Sequence, residues 1–161
     1  CLAARRMVEA GVPYITINYP GGWDTHSNHF ATMRRQCPQL DQGLATLLQD
    51  LHDRGLLAET LVVALGEMGR TPKPNAAWGR DHWSQAFPAV LAGAGIRGGM
   101  VHGATDEFGF KAVEKPVHVH DLHATILALL GLNHEKLTFN YAGRDFRLTD
   151  VEGNVIKALM A

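Results

Sequence analysis

Cysteine is scarce in this 161-residue chain: only Cys1 and Cys37 are present, and neither sits in a Cys-x-x-Cys pair or a Cys/His zinc spacing. At most one disulfide is available, so a disulfide scaffold is excluded, and the thiols say nothing about redox compartment. A surplus of either charge is also missing, with 15 Lys and Arg against 16 Asp and Glu and a formal net charge of −1. Phosphate backbones are held by basic faces, so no nucleic acid is expected as a partner. Long hydrophobic runs are absent too. The longest, Ala124 to Leu130, is interrupted by Thr125 and falls well short of the ~18–20 residues of a membrane span. Disorder is excluded on other grounds, because 46% apolar and 19% charged residues leave enough apolar surface to fold.

What the chain has in quantity is histidine, nine in all, a residue useful for metal ligation and proton transfer. Its length suits one domain, which would bury roughly 68–70% of its unfolded surface. The start has no initiator Met and no signal peptide, and Cys1 to Ala10 reads as a helix already under way. The chain is therefore expected to be a piece of a longer protein rather than a processed whole.

Gly11-Val12-Pro13 closes that helix, and the β-branched and aromatic run Tyr14 to Tyr19 predicts a strand. Trp23 to Phe30 reads as a polar loop, and Pro38 as a first-turn proline. Leu40, Leu44, Leu47, Leu48 and Leu51 share one face of a helix running to Arg54 and stopped by Gly55. Thr60 to Leu65 is a continuous apolar run of strand length. A strand apolar on both faces and reached through a helix predicts a parallel sheet covered on both sides. Glu67 to Ser84 is a long irregular stretch, of the kind that is usually functional or mobile. Phe87 to Leu91 and Met100 to His102 read as further strands. Asp121 is expected to N-cap a helix carrying Leu122, Ile126, Leu129 and Leu130 and closed by Gly131, and a short helix is expected from Val155. No repeat or linker interrupts this single α/β unit.

Three polar clusters follow predicted strands, where ligands gather in open α/β sheets. Asp24, His26 and His29 bring a carboxylate and two imidazoles within six residues, a ligand set for zinc, manganese or iron. The plainer alternative is a solvated turn capped by Asp24. Glu67 and Arg70 follow the buried strand and either bind a cation and an anion side by side or pair with each other. Arg80, Asp81 and His82 offer a further ligand, or a carboxylate that orients an imidazole, or simply a loop packed beside Trp83. Together the three suit a metal-assisted site for an anionic substrate. A fourth group, His118, His120, Asp121 and His123, is largely accounted for by the helix start; the alternative is a metal held by His118 and His120, which would share a face of an extended segment. His52, His102 and His134 have no nearby partners in sequence and are expected on the surface.

The segments WDTHSNHF, LDQGLATLLQDLHDRGLLAETLVVALGEMGRTP, GRDHW and GRDFRLTDVEG closely resemble the bacterial sulfatase-like family called domain of unknown function 1501, over nearly the whole chain. That family resembles a branch of the alkaline phosphatase superfamily, which includes arylsulfatases, phosphonate hydrolases and cofactor-independent phosphoglycerate mutases. The resemblance implies an alkaline-phosphatase-like fold, a mostly parallel sheet with helices on both faces, with residues 1–161 forming the C-terminal part of a single domain. It implies a divalent metal (zinc, manganese, calcium or magnesium) held by Asp24, His26 or His29, and His82, with Asp81 beside them. Glu67 stands where the superfamily's second site has Asp and Met68 where it has His, which weakens that site or leaves it carboxylate-only. Arg70 and Arg80 would neutralise the equatorial oxygens of a small-molecule or glycan sulfate or phosphate ester. The nucleophile and the first metal-binding Asp would lie upstream of this chain. The family often carries a twin-arginine export signal, which implies a periplasmic or secreted protein. The expected function is therefore a metal-dependent ester hydrolase. The alternative, favoured by Met68, is a non-catalytic relative that binds an anionic polymer or a partner protein. A mutase would need a capping domain that is not visible in this sequence.

Overall fold

A computed structural model describes residues 1–161. Along the chain come α1 (Leu2–Glu9), α2 (His29–Asp53), β1 (Val62–Leu65), β2 (Gly69–Arg70), β3 (His82–Trp83), β4 (Ala89–Ala92), β5 (Ala104–Thr105), β6 (Ala112–Glu114), α3 (Val119–Leu129), β7 (Thr138–Tyr141), β8 (Arg144–Arg147) and a 3-10 turn at Lys157–Leu159.

The strands form four separate two-stranded ribbons, β1–β4, β2–β3, β5–β6 and β7–β8, and every pair is antiparallel. This overturns the expected mostly parallel, alkaline-phosphatase-like sheet with helices on both faces. The reason lies in the connections. Parallel neighbours need a crossover, usually a helix, but the chain between β1 and β4 holds only irregular segments and the β2–β3 ribbon. It returns β4 antiparallel, with Val62 opposite Ala92 and Leu65 opposite Ala89. The expected strand at Tyr14 to Tyr19 has no ladder partner and remains irregular, with Tyr14 and Ile17 exposed. Strand propensity reflects fit to a paired, half-buried surface, so without a neighbour it yields none.

The second helix is longer than its leucine pattern predicts. It begins at His29, takes in the expected loop end and carries Pro38 in its interior. Its N-cap Asn28 adopts the left-handed region at φ 49°, which Asn tolerates better than most residues. Leu47 and Leu51 are buried as expected, while Leu44 is only half-buried. The helix packs beside α1 rather than mainly on β1. Arg5 donates to Asp50 at 2.7 Å, and Arg54 donates to Asp50 at 2.7 Å and to Glu9 at 2.8 Å, which lashes the two helices together at their edge.

At α3 the N-cap is His118, not Asp121. The His118 ring accepts the His120 N–H while Asp121, at the third helical position, accepts the His118 N–H, a reciprocal capping box. The expected helix at Val155 shrinks to the 3-10 turn, and Met100 to His102 is irregular. The β7–β8 hairpin was not predicted, although its signal is present. Ala142 and Gly143 both have positive φ, 51° and 79°, between strands whose register puts Tyr141 opposite Arg144, as in a two-residue primed turn.

Only 11 residues are buried, and the accessible surface is 11080 Å², against roughly 7,900 Å² for a folded monomer of this mass. Burial is confined to small centres. One holds Ala4, Leu47 and Leu51; another holds Ala124, Thr125, Leu127 and Thr149. No helix is long and apolar enough to cross a membrane.

Candidate metal centre

Two loops distant in sequence are zipped together to make the first site. Ser27 bridges to Trp78, the Arg80 N–H donates to the Thr25 carbonyl at 2.8 Å, and the N–H groups of Asn28 and His29 donate to Ala77 and Trp78. Asn75 organises the second loop. Its side-chain oxygen accepts the N–H groups of Ala77 and Gly79, and its amide donates to the His26 carbonyl and to Asp81 Oδ1, both at 3.0 Å. Gly79 is required by the close approach, because a Cβ there would collide with the His26 backbone. Meanwhile β2 pairs with β3 so that Arg70 lies directly opposite His82, and directly opposed residues share a face.

The outcome is a convergence of side chains on Asp24. His82 Nε2 lies 2.8 Å from Asp24 Oδ1 and His26 Nδ1 lies 3.4 Å from it, and the two imidazole centroids are 5.0 Å apart. The three residues each offer a ligand atom, all within 4.8 Å of one another. Arg70 Nη1 approaches the same carboxylate oxygen at 3.1 Å, and its Nη2 donates to Glu67 at 2.9 Å. The hydrogen bond from His82 holds the Asp24 carboxyl below the usual carboxylate range, with the charges of His26, His82 and Arg70 acting the same way against a partial desolvation. Such a carboxylate, flanked by two imidazoles, fits a borderline divalent cation. Arg70 Nη1 is buried and meets only this ion pair, completing no further hydrogen bond within the protein.

The other expected site residues lie elsewhere. His29 starts α2 with its Nδ1 2.5 Å from the buried Thr25 hydroxyl. Burial, then the charges of Arg80 and Arg70, push its pKa down and favour the neutral ring. Glu67 is joined to the cluster only through Arg70. Asp81 serves the loop, its carboxylate accepting from Asn75 and its backbone pairing with Thr71. Arg80 donates to the Thr71 and Pro72 carbonyls and lies 5.6 Å from the Phe30 ring centroid, so its charge is spent on the fold. His134, expected on the surface, is half-buried and pairs with the fully buried Thr149 hydroxyl at 2.9 Å. Asn75, Thr25 and Gly79 were not singled out in the sequence. For Asn75 the cue was its place after Pro74 in a Gly-containing loop, where Asn commonly bonds its own backbone two residues on.

A family model described as "Protein of unknown function (DUF1501)" matches residues 1–160. No curated protein and no solved structure matches the chain.

Proposed function

The chain belongs to the DUF1501 family, and we propose that it acts as a divalent-metal-dependent hydrolase of sulfate or phosphate esters, of the sulfatase branch of the alkaline phosphatase superfamily. The observation that carries this reading is the meeting of Asp24, His26 and His82 with the Arg70 guanidinium on the same carboxylate. Asp24, His26 and His82 would hold the cation. When bound, zinc, manganese, calcium or magnesium supplies Lewis-acid polarisation of an ester oxygen. Arg70 binds an anionic oxygen of the substrate, and Glu67 fixes the plane of the guanidinium by taking its other nitrogen. A cation and a guanidinium side by side suit the tetrahedral oxyanion groups of sulfate and phosphate, whose charge is spread over several oxygens. Arg80 contributes by holding the Thr71–Pro72 turn that follows Arg70. The family resemblance adds a small-molecule or glycan ester as substrate and a periplasmic or secreted location.

The test is metal content, together with aryl sulfate and aryl phosphate hydrolysis, in the natural full-length protein and in three variants. His82→Ala should lose metal and both activities, because removing a metal's support commonly costs at least ~10–100-fold in affinity. Glu67→Ala should keep the metal and lose activity through a misplaced Arg70. His134→Ala should keep both. A wild-type protein that binds no divalent metal and cleaves neither ester would sink the hydrolase and favour a binding protein for an anionic polymer or partner.

A further inference from the structure

We propose a second divalent-cation site, of the zinc class, formed by His118, His120 and Glu152 where the C-terminal segment crosses the start of α3. Each of the three offers one ligand atom, and these atoms all lie within 4.8 Å of one another. The carboxylate is central: Glu152 Oε2 is 3.4 Å from His120 Nδ1 and 3.9 Å from His118 Nδ1. Tetrahedral bonds of ~2.0–2.2 Å place neighbouring ligand atoms roughly 3.3–3.6 Å apart, so the Glu152–His120 pair already has the required spacing, the Glu152–His118 pair needs a small closure, and the imidazole–imidazole pair lies within 4.8 Å. The two imidazoles stack edge to face with centroids 4.7 Å apart.

Both nitrogens are suited to ligation. His120 Nδ1 is buried and has no hydrogen-bond partner, and such an orphan is costly unless something meets it. His118 Nδ1 accepts the His120 N–H at 3.2 Å, which marks it as the unprotonated nitrogen of its ring, the form a metal needs. A cation would take over that lone pair from a long cap bond.

The surroundings select for positive charge. His118 and Glu152 line an open groove of about 490 Å³ together with Asp121 and Glu135, and no Lys or Arg lines it. The helix N-terminus itself disfavours a cation, but Asp121 sits in the first turn and accepts the backbone N–H groups of His118 and Asn154, which places a compensating negative charge there. Two plain histidine–glutamate contacts would not require that concentration of acids. The site is structural in kind, since it joins α3 to the segment that ends at the 3-10 turn.

The experiment is equilibrium dialysis of Co²⁺ and Zn²⁺ against the full-length protein, with the Co²⁺ absorption spectrum followed alongside. The variants are Glu152→Gln, His120→Ala and His82→Ala, with circular dichroism on each. Glu152 is exposed and its side chain makes no hydrogen bond, while its backbone bond to Thr149 is unaffected by the substitution, so Glu152→Gln should fold normally. Expected are two bound equivalents in wild type, one in Glu152→Gln, and one in His82→Ala. A single wild-type equivalent that is lost in Glu152→Gln but kept in His82→Ala would support this site while removing the Asp24 centre. Unchanged stoichiometry in both folded Glu152→Gln and folded His120→Ala would overturn the proposal.

Discussion

The Asp24 centre and the Glu152 cluster use the same donors, two imidazoles and a carboxylate, yet their chain geometry and second charges differ. Asp24 meets His82 across 58 positions of sequence, through loops zipped by backbone bonds and a ribbon only two residues long. His118 and His120 instead come from one capping box, with Glu152 brought over them by the Asp121–Asn154 and Thr125–Ile156 hydrogen bonds. At the first, a guanidinium shares the carboxylate; at the second, the groove adds only acids. An arginine beside a ligand set makes room for a cation and an anion together. Acids beside one make room for a cation alone. On the two proposals, the chemical and the structural site are therefore told apart by the neighbouring charge and not by donor identity.

The largest expected effect is at that arginine. Arg70→Ala should lower kcat/KM for aryl esters by ~10²–10³-fold, the cost of removing one preorganised donor to developing charge, while cobalt binding to the Glu152 cluster stays unchanged. Equal loss of metal at both clusters in dialysis would show that the two regions are not independent. Next comes Gly79→Ala. Its Cβ has no space against His26, so His26 must move and the Asp24 centre should lose ~10–100-fold in metal affinity, by analogy with lost supporting contacts. The Glu152 cluster serves as the internal control in the same titration.

Acid gives a third comparison, because the helix clamp lies outside both clusters. Hydrogen bonding from Arg54, then from Arg5, holds the Asp50 carboxyl below its usual range despite some desolvation. A carboxyl depressed in the folded state stabilises above the unfolded value of ~3.9 and loses that contribution as pH falls through the folded value. Urea midpoints measured from pH 5 down to pH 2 should therefore fall more steeply in wild type than in Asp50→Asn. A slope that is identical in the two would remove the clamp from the stability account. The smallest effect is expected for His134→Ala, about 1 kcal/mol from one lost hydrogen bond to Thr149, read as a denaturant midpoint shift with no change in bound metal at either cluster.

Much of the local structure was legible. The leucine spacing in α2 marks Leu47 and Leu51 for burial, and the apolar run at β1 lies within the segment read as a strand. The family motifs contain Asp24, His26 and His82 in residues that do meet. The sheet was not legible, because an apolar run reads the same whichever way its neighbour runs, and direction is set by the connection. Nor were the roles of Arg80 and Asp81 legible. Beside His82 in sequence they look like site residues, but they lie in the loop before the strand His82–Trp83, and their bonds belong to that loop.

By itself the sequence determined what depends on neighbours along the chain. Helical periodicity and turn residues follow from backbone geometry within a few positions, and two cysteines cannot make a disulfide scaffold whatever the fold. Only the tertiary structure decided which imidazoles share a carboxylate. His29 lies in the same short segment as Asp24, yet it starts a helix and bonds Thr25, while His82, far away, reaches Asp24 through its register with Arg70. His134 and Thr149 met by the same long-range route. Such distances are fixed by strand register, loop-to-loop hydrogen bonds and the absence of a Cβ at Gly79, and those are properties of segments brought together rather than of any one segment read alone.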